Sequence, residues 1–137
     1  MHTLEKIADA RLKPFAIWVP KSGSTAAAVP EAMKLVADPR VENFWDEDGA
    51  ALKAFQPPLG LDQDAWDLYL IYLPGTVWEG AIPPKPVFFM HQLWKAPDAP
   101  LFDGPVFAEK VRAALSGSLV SSPRPDTQDH TKTSSKW

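Results

Sequence analysis

The longest unbroken apolar run in the first two thirds of the chain lies within the segment 66–73, where Leu68, Tyr69, Leu70, Ile71, Tyr72 and Leu73 follow one another after Asp67 without a polar residue. Tyrosine, isoleucine and leucine suit a pleated, packed surface. A strand that does not alternate is covered on both faces, as at the centre of a sheet. Pro74-Gly75 follows. Proline presets the first angle of a type II turn and glycine takes the positive second one. The pattern therefore predicts a hairpin whose second strand, 77–80, lies at an edge, and the rest of the chain is organised around it.

Upstream, Leu4, Ile7, Ala8 and Leu12 recur at helical spacing and predict an amphipathic helix over 3–11, with Thr3 as cap and Pro14 as stop. Phe15 to Val19 reads as a short buried strand closed by Pro20 and a Lys-Ser-Gly-Ser loop. A helix is expected within 25–37, starting near Pro30, where a missing amide is tolerated. Val41 to Trp45 reads as an edge strand. Asp46, Glu47 and Asp48 precede a helix over 49–55, and capping explains them better than a metal site. Pro57-Pro58 is expected to end that helix. Downstream, 82–86 holds too many prolines for a central strand, and 87–94 reads as loop or short helix. Asp103 is placed to cap a last helix with Pro105 in its first turn, Phe107, Val111 and Leu115 on one face, and Gly117 at its end.

Length and composition narrow the picture. At 137 residues, 45% of them hydrophobic, the chain is expected to form one domain over 1–117. The Ser/Thr/Pro-rich segment 118–137 has too little apolar surface to order itself and is expected to be a disordered tail. A net charge of −3 with no basic run argues against nucleic acid. The start of the chain lacks an apolar signal core, and no run approaches membrane-spanning length, so a soluble cytoplasmic protein without a membrane partner is expected. There is no cysteine, which excludes disulfides, thiolate metal sites and thiol redox chemistry in this chain.

Candidate chemistry is sparse. His91 sits between Met90 and Gln92, and a lone histidine in an apolar run is more often packed and hydrogen-bonded than a base or ligand. His2, His91 and His130 lie too far apart for metal-ligand spacing, and no metal or other cofactor is expected. Asp62, Asp64 and Asp67 lead into the central strand. Paired carboxylates do acid–base work when burial separates their pKa values, but loop solvation and strand-entry hydrogen bonding explain these more simply. Gly23-Ser24-Thr25 ahead of a helix lacks the spacing and lysine of a nucleotide loop and reads as a plain cap. Trp18, Trp45, Trp66, Trp78 and Trp94 are mostly core candidates, with some available to line a groove. No residue is assigned a catalytic role.

The fold class is α/β, a mixed sheet of about four strands with flanking helices. Taken as helix, strand, helix, strand, helix, hairpin and helix, the order resembles the thioredoxin-like fold from its second half onward. Trp18-Val19-Pro20, Asp38-Pro39-Arg40-Val41, Phe44-Trp45-Asp46 and Ala65-Trp66-Asp67-Leu68-Tyr69 resemble a poorly characterised bacterial group of such proteins. The likeness covers about 4–115. It implies a fold incomplete at its N-terminus, because the family's Cys-X-X-Cys loop and the strand before it have no counterpart here. Ala65 stands where that family keeps a cis-proline, and a non-proline cis bond costs ~2.5–4 kcal/mol.

The missing strand belongs between the strands at 15–19 and 66–73, so those two either pair directly or leave a gap. The resemblance places a groove at Ala65, Trp66, Asp67 and His91. It implies a non-catalytic domain that binds a protein or peptide partner or a second copy. A fragment or mis-started form of a thiol oxidoreductase is the alternative, and an acid–base enzyme using Asp67 and His91 is another.

Overall fold

The computed structural model describes residues 3–94, 96 and 99–120. The expectations for His2, His130 and 121–137 lie outside them. Among the described residues the architecture is mixed α and β, and its four strands form two separate two-stranded sheets rather than the single mixed sheet expected. Strand β1 (Phe15–Trp18) pairs in parallel with β2 (Glu42–Trp45), Phe15 beside Glu42 and Ile17 beside Phe44. Between them runs helix α1 (Val29–Met33), extended by a 3₁₀ turn at each end. Pro30 sits in its first turn, where no intrahelical donor is needed.

Asp46 ends β2 and caps α2 (Ala50–Ala54), its two carboxylate oxygens accepting from the amides of Ala50 at 3.2 Å and Ala51 at 2.7 Å. Helix α2 ends ahead of Pro57 and Pro58, as expected, but the prolines do not begin a loop. They enter the first turn of a four-residue helix α3 (Gln56–Leu59), whose early positions lack intrahelical donors in any case. Helix α4 (Gly104–Leu115) closes the fold. Asp103 accepts from the Val106 amide at 3.0 Å and Pro105 lies in the first turn, as the sequence predicts.

The central hairpin is corrected in one half. Strand β3 (Leu68–Ile71) and the turn are present. Gly75 has φ +82° and the Thr76 amide donates to the Leu73 carbonyl at 3.2 Å. The partner strand, however, is not 77–80 but β4 (Phe88–His91), antiparallel with Leu68 beside His91 and Ile71 beside Phe88. The segment after the turn folds on itself. Trp78 Nε1 donates to the Gly80 carbonyl at 3.0 Å, and the ring packs edge-on against Phe55 at 5.5 Å. The segment 87–94, expected as loop or short helix, holds this strand instead, because Phe88, Phe89 and Met90 are apolar on both faces.

Covering on both faces is what the β3–β4 ribbon receives. On one face Tyr69, Ile71, Phe88 and Met90 pack with Ile7 and with Phe107, Ala108 and Val111 of α4. On the other, Leu68, Leu70 and Phe89 pack with Phe55, Leu59 and Ala65. Leu119 also packs on the first cluster.

The predicted helix at 3–11 is replaced by turns. Asp9 accepts from the Arg11 amide at 2.9 Å, a local side-chain bond that competes with helix formation. Arg40 captures the carbonyls of Leu4 at 2.9 Å and Ile7 at 2.7 Å, which a helix would need for itself. Ile7 still reaches the core at 4% exposure. No helix among the described residues is long and apolar enough to cross a membrane.

Candidate functional site

The four residues singled out in the sequence divide into two buried and two reachable ones. Ala65 is buried against Phe55 and Leu59, and its amide donates to the Leu52 carbonyl at 2.9 Å. No cis peptide bond occurs among the described residues, so alanine holds this position in the ordinary trans form. Trp66, next along, is 37% exposed. The Lys21 ammonium sits 5.8 Å from its ring centroid, a cation–π distance.

Asp67 enters β3 with φ +52°, a left-handed conformation that is uncommon outside glycine, asparagine and aspartate. The twist keeps its carbonyl on the β4 side, where it accepts from the Gln92 amide at 3.1 Å. It also leaves the carboxylate accepting from the Tyr69 hydroxyl at 3.2 Å, while Gln92 Nε2 donates to the same hydroxyl oxygen at 3.3 Å. Burial first, and then the Asp67 charge, push the Tyr69 phenol up to about 12. The phenol therefore stays protonated and donating throughout the neutral range. Its ring stacks on Phe102 at 3.8 Å.

His91 is 2% exposed. Nδ1 accepts from the Leu93 amide at 3.0 Å, which leaves the ring proton on Nε2 to donate to the Ala99 carbonyl at 2.9 Å. Its own amide donates to Pro100, and its carbonyl accepts from Phe102. The ring is thus a packed organiser of the chain after β4, as a lone histidine in an apolar run is expected to be. Asp67 and His91 share no hydrogen bond, and both ring nitrogens are engaged by the backbone.

Sequence reasoning missed a charge cluster beside Trp66. Asp64 Oδ2 meets Lys21 Nζ at 2.9 Å and Oδ1 meets Lys53 Nζ at 2.6 Å. The hydrogen bonds from Lys53 and then Lys21 hold the Asp64 carboxyl below the usual carboxylate range. The lysines lie 43 and 11 residues from Asp64, and no periodicity in the chain connects them. Gly23-Ser24-Thr25 is a plain loop, with Ser24 Oγ donating to the Lys21 carbonyl at 2.7 Å. Among the described residues no group of three or more His, Asp or Glu is arranged to hold a metal ion.

The strand edges are the other half of the site. In β1, the carbonyls of Pro14 and Trp18 accept from Glu42 and Asp46, so alternate residues bond to β2, and the main-chain groups of Phe15, Ile17 and Val19 face away. In β3, the carbonyls of Asp67 and Ile71 accept from Gln92 and Val87 across β4, so Leu68 and Leu70 present theirs to the other side. The far edge of β4 is closed by a bridge between His91 and Leu101. No backbone hydrogen bond joins β1 to β3 among the described residues. Phe15 at 61%, Ile17 at 41% and Phe44 at 51% exposure form an apolar face on the β1–β2 ribbon.

Comparison with known family models, with curated proteins and with solved structures finds no match to this chain.

Proposed function

We propose that this is a non-catalytic, thioredoxin-like domain that binds a protein or peptide by accepting an extended segment between β1 and β3. The observation that carries this reading is that, among the described residues, no strand pairs with the outer edge of β1 or of β3, where the Val19 carbonyl alone accepts a backbone bond, from the Lys21 amide at 2.8 Å. The exit of β1 lies against the entry of β3, through Lys21 with Asp64 and Trp66. The approach to β1, at Leu12, packs on the cluster that includes Ile71 at the exit of β3. The loop after β1 is thus tied to the loop before β3, and no backbone bond joins the two strands among the described residues. A row of unpaired N–H and C=O groups on each side is met by another β-strand, which supplies both along both of its edges. Trp66 and the exposed Phe15 and Ile17 supply apolar contact around that main-chain recognition.

The test is hydrogen exchange on the full chain during a screen of extended peptides. Binding that slows exchange at Ile17, Val19, Leu68 and Leu70 together supports the reading. A screen and a crosslinking survey that yield no binder, or a binder that leaves all four amides unprotected, overturn it.

The same open edges favour a second reading, in which the chain is a piece of a longer thioredoxin-like thiol oxidoreductase whose own strand fills the gap. In-frame codons upstream of Met1 that encode a Cys-X-X-Cys segment support that reading, and an immediate stop codon removes it. The geometry gives no support to an acid–base pair of Asp67 and His91.

A further inference from the structure

We infer that His91 is a pH-sensitive latch, which holds residues 99–102 against the outer edge of β4 while its ring is neutral and releases them when the ring gains a proton. The main chain of that segment meets β4 at His91 alone. The His91 amide donates to the Pro100 carbonyl at 3.2 Å, the Phe102 amide donates to the His91 carbonyl at 2.8 Å, and His91 bridges Leu101. The ring adds a further bond, from Nε2 to the Ala99 carbonyl at 2.9 Å, while Nδ1 accepts from the Leu93 amide at 3.0 Å. Both nitrogens are used, in opposite roles. A proton on Nδ1 turns that acceptor into a second donor and sets it N–H against N–H at Leu93. With the residue 2% exposed, the ring cannot present the new donor to solvent where it stands.

No counter-charge is turned towards it either. His91 shares its side of the ribbon with Leu68, Leu70 and Phe89, which pack on Phe55, Leu59 and Ala65, while α4 packs on the other side. The ionisable groups of the neighbouring elements are committed elsewhere. Asp67 accepts from the Tyr69 hydroxyl, Lys53 pairs with Asp64, and Asp103 caps α4. Lys95 and Asp98 lie outside the described residues. A buried charge without a partner is costly, so the protonated ring leaves its place and the Ala99 contact goes with it. The held form carries no proton on Nδ1 and the released form carries one. Holding therefore weakens as pH falls, by up to about ten-fold for each pH unit below the ~6.5 at which a histidine in water titrates. Release uncovers the outer edge of β4 and the face of Tyr69 on which Phe102 stacks.

The test is amide exchange on the full chain between about pH 8 and pH 5, each rate divided by that of an unfolded amide at the same pH, with the His91 ring resonances followed alongside. Protection of the Leu93 and Phe102 amides, both hydrogen-bonded in the held form, is expected to fall together with the titration of the ring. The Val87 amide, bonded to Ile71 at the far end of β4, and the amides of α4 are expected to keep theirs, which marks a local opening rather than unfolding. His91→Asn keeps an acceptor for Leu93 and has no proton to gain, so its protection at Leu93 should not change with pH. Protection at Leu93 and Phe102 that holds down to pH 5 overturns the latch. So does a ring that titrates with both amides still protected, a fall shared equally by Val87 and α4, or the same fall in His91→Asn. Should His91→Asn not fold, the parent protein decides through the comparison of Leu93 and Phe102 with Val87.

Discussion

His91 illustrates how much of this fold depends on single polar side chains placed among apolar ones. Its two ring nitrogens satisfy one backbone donor and one backbone acceptor on the far side of β4. Replacing it by leucine keeps the volume and orphans both groups, at roughly 1–3 kcal/mol for each. His91→Asn retains an acceptor near the Nδ1 position and loses only the Ala99 bond. The expected order of urea midpoints is parent, then His91→Asn, then His91→Leu.

Asp38 gives a second residue-scale expectation. Hydrogen bonds from the Arg40 guanidinium and then the Arg40 amide hold its carboxyl at about 2, below its ordinary 3.8. A group whose folded value is depressed stabilises the fold above its unfolded value and loses that contribution as pH falls through the folded one. Stability should therefore decline between about pH 4 and pH 2 through this site. In Arg40→Met that part of the decline should flatten, read as the urea midpoint against pH.

At the scale of elements, the two ribbons differ in what holds them. Met90 on β4 is 1% exposed and lies between α4 and the chain start, whereas Phe15 on β1 is 61% exposed. Met90→Ala should cost about 2–5 kcal/mol, as for other large-to-small core changes, and Phe15→Ala far less. Equal losses would mean that the β1–β2 face is covered in solution.

The caps at Asp46 and Asp103, the turn at Pro74-Gly75 and the doubly covered central strand were all legible in the sequence, because each is local chemistry read over a few residues. The partner of β3 was not. The prolines at 83, 84 and 86 exclude a central strand only up to 86, and the unbroken apolarity of 87–90 serves a buried strand as well as a buried helix. The failed helix at 3–11 has a tertiary cause, Arg40, which no periodicity in 3–11 reveals. Of the candidate site, Trp66 was found by its residue type. Lys21 and Lys53 were not, because only the fold brings them to Asp64.

At the scale of the whole molecule, the two core clusters gather around the β3–β4 ribbon, and neither takes a residue of the β1–β2 ribbon. Helix α1, which connects the two strands of that ribbon, contains no buried residue. Opening of the β1–β2 half at lower free energy than the rest is the corresponding expectation, and faster amide exchange over 15–45 than over 104–115 would display it.

The open edge of β1 has one more consequence, for the company the chain keeps in concentrated solution. A strand paired on one edge only, with its own Phe15 and Ile17 exposed, is a template that copies of the same chain fit as well as any other polypeptide does. Lys13 and Lys21 before and after β1, and Glu42 beside Phe15, are the charges that keep such copies apart. Self-association is therefore expected to rise with concentration and with salt, which light scattering across both would read.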